Sequence, residues 1–467
     1  MINRKSLKIV GSALAMAIML SGCSAVNNAI DNVESLVGTS GETASTVDSS
    51  GAESTDSATD QAIEDRLSEL KKEAEEELLN ESETADTESN TEDSATAEGS
   101  LLEEDKTELL PEGDSGEEMS LSEEEIAQIR SEMDGLYAYS HLNEEGQIIY
   151  AEVYAAIVNY YSNMKVSTTR EDDLDVVYEF VLRDHPEIFY VSSYHYYYQT
   201  LNGEVVKILF SANYDYEQAE VMRRQELIQL YEDACFEGLP ADADEYTKVK
   251  YVYDYIIDNT DYVAGSEDNQ NICSVFINGQ SVCNGYAKAT QYLLNDLGIE
   301  SVLVDGTANG SDGTGNHAWN LVKVDGEYYY VDTTWGDASF QGVSGSGDDM
   351  TVTNYYYLCC TTEDISKTHT FKDSLPLPDC TSIDANYFVR EGLYFTSADM
   401  NKVAEIFKNG YESGNGYVTL KCANSEVYNN LYYMLITDKQ VFNYLQGTGS
   451  EVSYSMKEDQ NILMFWL

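Results

Sequence analysis

The sequence predicts an α+β protein, in which helices and antiparallel strands occupy separate stretches of the chain. Apolar residues recur at helical spacing through most of residues 121–258, interrupted by one hairpin rich in tyrosine. A second hairpin is predicted at residues 317–332, where two strand-like runs flank Asp325-Gly326. Strand and helix patterns alternate near the end of the chain. We therefore expect a mixed core with an N-terminal α+β region and a small C-terminal α/β unit.

The charge of the chain is strongly unbalanced. Its 467 residues include 26 Lys and Arg against 84 Asp and Glu, for a formal net charge of −58. This argues against nucleic acid as a partner, because proteins bind phosphate backbones through clustered basic residues. An acidic surface would instead attract cationic ligands.

The N-terminus has the pattern of a secretory signal. Three basic residues precede an apolar run at residues 9–20, which is too short to cross a bilayer comfortably. The run ends in LSGC, which resembles the lipobox of bacterial lipoproteins. The resemblance implies that residues 1–23 are a signal peptide, that Cys23 is lipidated, and that the protein is held at the extracytoplasmic face of the cell membrane. The alternative is that Cys23 is an ordinary signal-peptide cysteine.

Residues 24–120 are predicted to form a disordered tether. They contain 29 acidic and 4 basic residues and much Ser, Thr, Ala and Gly, and no aromatic residue occurs before Tyr137. Such a composition cannot bury enough apolar surface to offset the entropy of ordering. Apolar residues at helical spacing within residues 63–78 favour a transient helix over a short coiled coil.

The N-terminal region, residues 121–240, is predicted to begin with a helix. Ser122 and Glu125 form a capping-box pattern ahead of an apolar run. Further helices are expected at residues 143–161, 170–183 and 216–239. Strands at residues 189–199 and 205–210 flank Asn202-Gly203, which is a strong hairpin signal.

The predicted hairpin carries four tyrosines, Tyr194, Tyr196, Tyr197 and Tyr198. They could form a face that binds sugars or peptides. The alternative is that they are half-buried sheet residues whose hydroxyls reach water.

The C-terminal unit, residues 380–467, is predicted to alternate strands and helices. Strands are expected at residues 389–395, 417–422, 452–456 and 462–467, and helical structure at residues 397–408 and 425–445.

Cys283 is predicted to lie at the N-terminus of a helix, after an earlier helix at residues 244–258. Apolar residues from Tyr286 onward mark one helical face, which ends near Gly298. The positive end of a helix stabilises an anion, so this position favours a thiolate. A lone cysteine is more often a small buried apolar residue, and its position alone does not predict catalysis.

The hairpin around Asp325-Gly326 brings a histidine near a carboxylate. A two-residue turn pairs residues 324 and 327, so that His317 would face Thr334 and lie diagonal to Asp332, about 7 Å away at the backbone. An imidazole can take a thiol proton and a carboxylate can fix its tautomer, which is the support that a cysteine nucleophile needs. Each residue alone would more often be a surface side chain, and their shared register favours function.

Three ordered motifs resemble the bacterial transglutaminase-like superfamily: SVCNGYA at residues 281–287, HAWN at residues 317–320 and VDTTW at residues 331–335. The resemblance covers about residues 248–369 and implies a papain-like catalytic core at residues 241–379. It implies that Cys283 is the nucleophile, His317 the general base and acid, and Asp332 the orienting carboxylate. DHPEIF at residues 184–189 also resembles a segment found upstream of this domain in related exported bacterial proteins.

The surroundings of Cys283 differ from those in animal transglutaminases, which have Gly-Gln-Cys-Trp at the nucleophile. Here Gln280 lies three residues before Cys283 and Asn284 follows it, so the cross-linking and calcium dependence of that branch are not implied. Acyl transfer needs an oxyanion hole, and the backbone amide of Cys283 is a reasonable first donor. Gln280 is either a second donor or an ordinary loop glutamine. Further candidates for the cleft are Gly285, Trp319 and Trp335.

Apart from Cys23 and Cys283, six cysteines remain: Cys235, Cys273, Cys359, Cys360, Cys380 and Cys422. They could form three disulfides in any of 15 pairings, and the sequence does not decide their state. Their spacing does not predict a zinc site, and no metal or cofactor is expected.

Two hypotheses about function follow. In the first, a membrane-tethered extracellular enzyme attacks an amide through Cys283 and passes the acyl group to water or to an amine, with hydrolysis favoured over cross-linking. Its substrates would be peptides or cell-wall peptide stems, and cationic ones would be favoured by charge. In the second, the fold is kept without catalysis, and the tyrosine-rich hairpin and the C-terminal unit bind cell-surface glycan or protein. The sequence does not fix the oligomeric state.

Overall fold

A computed structural model describes residues 108–109, 118–310, 313–337, 352–372, 374–446 and 451–467. The predicted signal peptide, Cys23 and the helical spacing at residues 63–78 lie outside the described residues. The chain divides into two compact units at Asp305 and Gly306, inside the predicted core. Among the described residues, no helix combines the length and the apolar character needed to cross a membrane. The predicted α+β class is confirmed by the elements below.

The first unit comprises the described residues up to Asp305 and those within Lys372–Leu377. Its helices are α1 (Glu123–Glu132), α2 (Tyr137–His141), α3 (Glu144–Val158), α4 (Glu171–Asp184), α5 (Gln218–Glu237), α6 (Glu245–Asp258), α7 (Ile272–Phe276) and α8 (Cys283–Asp296). Its strands are β1 (Glu108–Leu109), β2 (Met164–Val166), β3 (Val191–Leu201), β4 (Glu204–Tyr214), β5 (Asp261–Tyr262) and β6 (Gln280–Ser281), and β7 (Ser301–Gly310) begins in this unit. One sheet has the order β1-β3-β4-β2, and β5 pairs with β6.

The helices predicted in this unit are confirmed, with ends shifted by a few residues. The predicted capping box opens α1, since the Ser122 hydroxyl accepts from the Glu125 N–H at 3.2 Å and the Glu125 carboxylate accepts from the Ser122 N–H at 2.8 Å. Such reciprocal bonds satisfy donors that have no partner inside the helix.

The predicted tyrosine-rich hairpin is confirmed as β3 and β4. Asn202 and Gly203 both have left-handed φ angles, 55° and 89°, as a tight two-residue turn requires. Tyr196 is buried and the other three tyrosines are half-buried, which agrees with the interpretation as sheet residues. Glu108 and Leu109 pair in parallel with β3, so these two residues of the predicted tether form a strand, contrary to expectation.

Asp184, the first residue of the DHPEIF motif, holds α2 in place. Its buried carboxylate accepts from the backbone N–H groups of Ala138 at 2.9 Å and Tyr139 at 2.7 Å, and from the Tyr150 hydroxyl at 3.1 Å. Burial raises the pKa of Asp184, although these bonds favour the ionised form. The motif therefore has a structural role in the first unit.

The second unit comprises Gly306–Phe371 and Pro378–Leu467. Its strands are the end of β7, then β8 (Gly313–Val324), β9 (Glu327–Val331), β10 (His369–Phe371), β11 (Tyr394–Phe395), β12 (Tyr417–Cys422), β13 (Tyr454–Lys457) and β14 (Ile462–Trp466). Its helices are α9 (Thr333–Gly336), α10 (Thr362–Ile365), α11 (Tyr387–Arg390), α12 (Met400–Ser413) and α13 (Ser425–Tyr432), with 3-10 turns at Tyr355–Tyr357 and Gln440–Asn443 and a π turn at Tyr433–Thr437. The sheets have the orders β10-β7-β8-β9 and β11-β12-β14-β13.

One face of the sheet β11-β12-β14-β13 carries the core of the C-terminal residues. Val418 and Leu420 of β12 and Leu463 and Phe465 of β14 are buried together with apolar residues of α12 and α13. The predicted strands at residues 417–422, 452–456 and 462–467 are confirmed, with small shifts.

The strand predicted at residues 389–395 is wrong over most of its length. The Asn386 side chain accepts from the Phe388 N–H at 3.2 Å and begins the helical turn α11. Gly392 has a φ of +70°, which a continuous strand does not allow. Only Tyr394–Phe395 pair as a strand.

Candidate functional site

Cys283 is the first residue of α8, as predicted, and its side chain is half-buried. The preceding residue, Val282, is extended and its side chain provides no cap. The helix is anchored by Tyr286, whose buried hydroxyl donates to the carbonyl of Thr260 at 2.7 Å. Cys283 is thus held at the positive end of a well-packed helix.

The start of α8 is fixed by a close approach at Gly285. A Cβ atom at this position would lie 1.9 Å from Oγ of Ser281 and 2.5 Å from Oγ of Ser274. These two hydroxyls are 2.6 Å apart and buried, so they cannot move aside easily. Glycine is therefore required two residues after Cys283, and Gly285 acts through packing.

Gln280 lies in β6 and is exposed. Asn284, which follows Cys283, donates from Nδ2 to Oε1 of Gln270 at 2.6 Å. The role of Gln280 as an oxyanion donor stays a prediction.

The hairpin β8-β9 has the predicted register. Val324 pairs with Glu327 and Asn320 with Val331, while Asp325 and Gly326 occupy the turn with left-handed φ angles. The strand β9 ends at Val331, so the expected pairing of His317 with Thr334 does not form. The reason is that Asp332 caps α9, since its Oδ1 accepts from the Trp335 N–H at 3.0 Å.

His317 and Asp332 are joined directly in the second unit. Nε2 of His317 lies 2.8 Å from Oδ2 of Asp332, and the two residues are 8% and 1% exposed. Burial by itself would raise the pKa of Asp332, but the imidazoles of His317 and His369 offset this and hold its pKa below the usual range. The carboxylate is thus ionised beside His317.

His369 is a second imidazole on the same carboxylate, which the sequence did not predict. Its Nε2 lies 3.0 Å from Oδ2 of Asp332, and the residue is buried in β10. Burial lowers the pKa of His369, although its bond to Asp332 opposes this shift. The chain has five histidines, so residue type alone made His369 a candidate, but no local pattern connects it to a residue 37 positions away.

A line of hydrogen bonds continues beyond His369. Its Nδ1 lies 2.9 Å from the hydroxyl of Thr368, which lies 3.1 Å from the hydroxyl of Tyr357. Nε2 of Gln460 donates to that Tyr357 hydroxyl at 3.3 Å. The orientation of His369 is therefore set by groups on both sides of its ring.

Trp319 and Trp335 pack against the two histidines. The Trp319 ring is fully buried, with its centroid 4.9 Å from that of His369 and 6.0 Å from that of His317. The half-buried Trp335 ring lies 4.9 Å and 5.9 Å from the same two rings. Gly306 leaves room for Trp319, since a Cβ there would come within 2.5 Å of the indole. Both tryptophans thus fix the imidazoles by packing.

The nitrogen and oxygen atoms of His317, Asp332 and His369 lie within 4.8 Å of one another, a spacing that could also surround one metal ion. Both imidazoles are already within hydrogen-bond distance of Oδ2 of Asp332. Hydrogen bonding therefore accounts for the geometry.

The structure brings His317, Asp332, Trp319 and Trp335 together in the second unit. The other predicted site residues, Cys283, Gln280 and Gly285, belong to the first unit.

Known proteins resemble part of the chain. A TGase crystal structure matches 34% of this chain and 47% of its own chain, at 14% identity and a TM-score of 0.23. A candidate cysteine protease from Cytophaga hutchinsonii matches 30% of this chain and 61% of its own chain, at 14% identity and a TM-score of 0.21. A candidate protease from Parabacteroides distasonis matches 31% of this chain and 32% of its own chain, at 15% identity and a TM-score of 0.19. The chain thus spans less than two thirds of each of these chains, and similarity this slight says nothing about activity.

The family comparison is more specific. No curated protein matches the chain. Residues 237–333 match the model of the transglutaminase-like superfamily, and this segment contains Cys283, His317 and Asp332. The chain therefore contains a transglutaminase-like domain at residues 237–333.

Proposed function

We propose that the protein is a cysteine-dependent hydrolase or acyltransferase that acts on amide bonds of peptides or cell-wall peptide stems. The observation that carries this proposal is the 2.8 Å bond between Nε2 of His317 and Oδ2 of Asp332. A buried imidazole held by an ionised carboxylate is the arrangement that activates a nucleophile. The family match includes Cys283, which supplies the thiol.

In the proposed reaction, the Cys283 thiol gives its proton to His317 and the thiolate attacks the amide carbonyl carbon. Because Nε2 is bonded to Asp332, we assign the proton transfer to Nδ1. The C–N bond then breaks, the imidazolium gives its proton to the leaving amine, and the acyl group stays on sulfur as a thioester. Water or an amine attacks the thioester and gives a proton to His317, which returns it to the sulfur.

Two features of the chain support this scheme. Asp332 has a pKa held below its usual range, so it stays ionised and stabilises the imidazolium while that cation exists. The backbone N–H of Cys283 lies at a helix start, where such groups suit an oxyanion. Hydrolysis is favoured over cross-linking, because the residues around Cys283 differ from those of the cross-linking enzymes.

We also propose that Cys23 carries a lipid and that the enzyme acts at the extracytoplasmic face of the cell membrane. The support is the LSGC sequence after a short apolar run and the acidic composition of residues 24–120. A net charge of −58 would draw cationic peptides toward the protein. Incorporation of an alkyne-tagged fatty acid in cells, lost in Cys23→Ala, would support the anchor, and equal incorporation would contradict it.

Selective alkylation can test the nucleophile, because the described cysteines differ in burial. Cys283 is half-buried, whereas Cys235, Cys273, Cys359, Cys360, Cys380 and Cys422 are buried free thiols. Burial raises the pKa of Cys380 and Cys422 to about 12, which suppresses their reaction at neutral pH. The rate of iodoacetamide labelling at Cys283 is measured by mass spectrometry from pH 5 to 9.

The labelling is compared among the unaltered chain, His317→Ala and His195→Ala, where His195 is an exposed strand histidine. Fast labelling of Cys283 below the ordinary thiol pKa of about 8.5, lost only in His317→Ala, would support an activated nucleophile. Turnover of amide substrates should then vanish in Cys283→Ala. Slow labelling that His317→Ala leaves unchanged would contradict the proposal and favour the alternative, a binding module without catalysis.

A further inference from the structure

The sheet β11-β12-β14-β13 has a second face that its own core does not use. Strand side chains alternate between faces, and Tyr417, Thr419, Ile462 and Met464 alternate with the core residues of β12 and β14. These four residues line a cleft of about 860 Å³ within the second unit. That volume suits a small or medium-sized ligand.

One helix supplies a regular polar wall. Asn401, Glu405, Asn409 and Ser413 follow one another at intervals of four residues along α12, so they lie on one side of the helix. All four are exposed and line the cleft. At about 1.5 Å per residue the row extends roughly 18 Å. A ligand along this wall would be elongated and would meet a hydrogen-bonding group at every turn.

The cleft also offers aromatic surface. Tyr355 and Tyr387 are stacked, with ring centroids 3.9 Å apart and planes 6° apart, and both line the cleft. They are half-buried. A stacked pair is rigid, so a ligand that contacts these rings loses little protein entropy on binding.

The charges of the lining nearly cancel, which is unusual for a chain of net charge −58. Of the lining acids, Asp399 is already used, since its side chain accepts from the N–H groups at the start of α12. Of the lining bases, Lys402 donates to the carbonyl of Tyr394 at 2.8 Å. The other charged residues of the lining are two acids, Glu391 and Glu405, and one base, Lys457. The lining therefore favours a neutral ligand over an ionic one.

We propose that the cleft binds a neutral linear oligosaccharide. Side-chain amides donate and accept together, which matches neighbouring hydroxyls on a sugar ring, and tyrosine rings pack against the apolar C–H faces of such rings. A peptide would more often add to a sheet edge or enter an apolar groove as a helix, whereas this cleft combines residues of a sheet face with a row of polar side chains from α12. The proposal does not depend on the proposed catalytic function.

The test uses the full chain with tetra-N-acetylchitotetraose and maltotetraose as separate probes, measured by isothermal titration calorimetry. The variant is Asn401→Ala with Asn409→Ala, since alanine favours the helix and both positions are exposed. The matched control is Lys408→Ala with Glu412→Ala, two exposed residues of α12 that do not line the cleft. Thermal unfolding of every variant verifies that the fold is retained.

We expect at least one saccharide to bind, with affinity reduced at least tenfold in the asparagine variant and unchanged in the control. The two probes distinguish an N-acetylated glycan from a plain glucan. Failure of both to bind, or equal binding by the asparagine variant, would overturn the proposal. Binding of an uncharged decapeptide that is lost in the same variant, without saccharide binding, would overturn it in favour of a peptide site.

Discussion

Oδ2 of Asp332 lies 3.0 Å from Nε2 of His369, so one carboxylate oxygen serves two imidazoles. Because burial lowers the pKa of His369, this ring is neutral near pH 7. It can donate its Nε2–H to Asp332 while Nδ1 accepts from Thr368. His369 thus orients the carboxylate without adding a positive charge beside His317.

The first prediction concerns this orienting bond. His369→Phe should lower kcat by about tenfold or more with little change in KM, because a hydrogen bond to a charged group is worth about 1.5–3 kcal/mol. His369→Gln should retain most activity, since its amide can donate to Asp332. Steady-state kinetics and the alkylation rate of Cys283 would measure both variants. The control is His195→Phe, a substitution on the surface. Full activity of His369→Phe would show that the hydrogen bond between His369 and Asp332 does not contribute to turnover.

The second prediction is a pH dependence of stability. Since the pKa of His369 is lowered in the folded protein, the unfolded chain binds the proton more readily below about pH 6.5. The contribution of His369 is therefore present above that pH and is lost as the pH falls. The slope of unfolding free energy against pH should be steeper in the unaltered chain than in His369→Gln, by at most about 1.4 kcal/mol per pH unit. Urea unfolding from pH 7.5 to 5.5 would measure the slopes, and equal slopes would refute this.

The third prediction is that Gly285→Ala destabilises the start of α8. The new methyl group would meet Oγ of Ser281 at 1.9 Å, and such overpacking typically costs about 1–3 kcal/mol. Gly315→Ala is the control, because no atom lies within 4 Å of the added Cβ. Denaturant unfolding would compare the two, and an equal effect of both substitutions would mean that the close approach is not limiting.

The fourth prediction concerns Asp184. Asp184→Ala should lower the unfolding free energy by at least about 2 kcal/mol, because two backbone N–H groups and the Tyr150 hydroxyl lose their acceptor. Asp184→Asn should lower the unfolding free energy by less, since one side-chain oxygen remains as an acceptor. Exposed Asp172→Ala should change stability by no more than about 0.5 kcal/mol. Chemical unfolding tests all three, and a neutral Asp184→Ala would contradict the structural role.

Local turn chemistry made the β8-β9 hairpin predictable. Asp325-Gly326 allows one two-residue turn, and the register from Val324 to Asn320 follows from it. The predicted pairing continues to His317 and Thr334, but the strand ends earlier, because Asp332 caps the helix α9. The closeness of His317 to Asp332 was therefore predicted for a reason that is only partly right.

Contacts between segments that are distant in the chain could not be predicted from the sequence. His369 lies near Asp332 because β10 pairs with β7. No sequence pattern within β10 predicts which strand it pairs with. The order β11-β12-β14-β13 was equally hidden, although three of its strands were predicted. The cleft depends on that order, since β12 and β14 are neighbours only in the folded sheet.

The segment that matches the superfamily ends at residue 333, one position after Asp332. His369 and Trp335, which hold the imidazole and the carboxylate in place, lie beyond that boundary. A fragment cut to the matched residues would keep His317 and Asp332 but lose His369 and Trp335, which contact them. The segment that matches the superfamily is thus shorter than the set of residues that surrounds the His317–Asp332 pair.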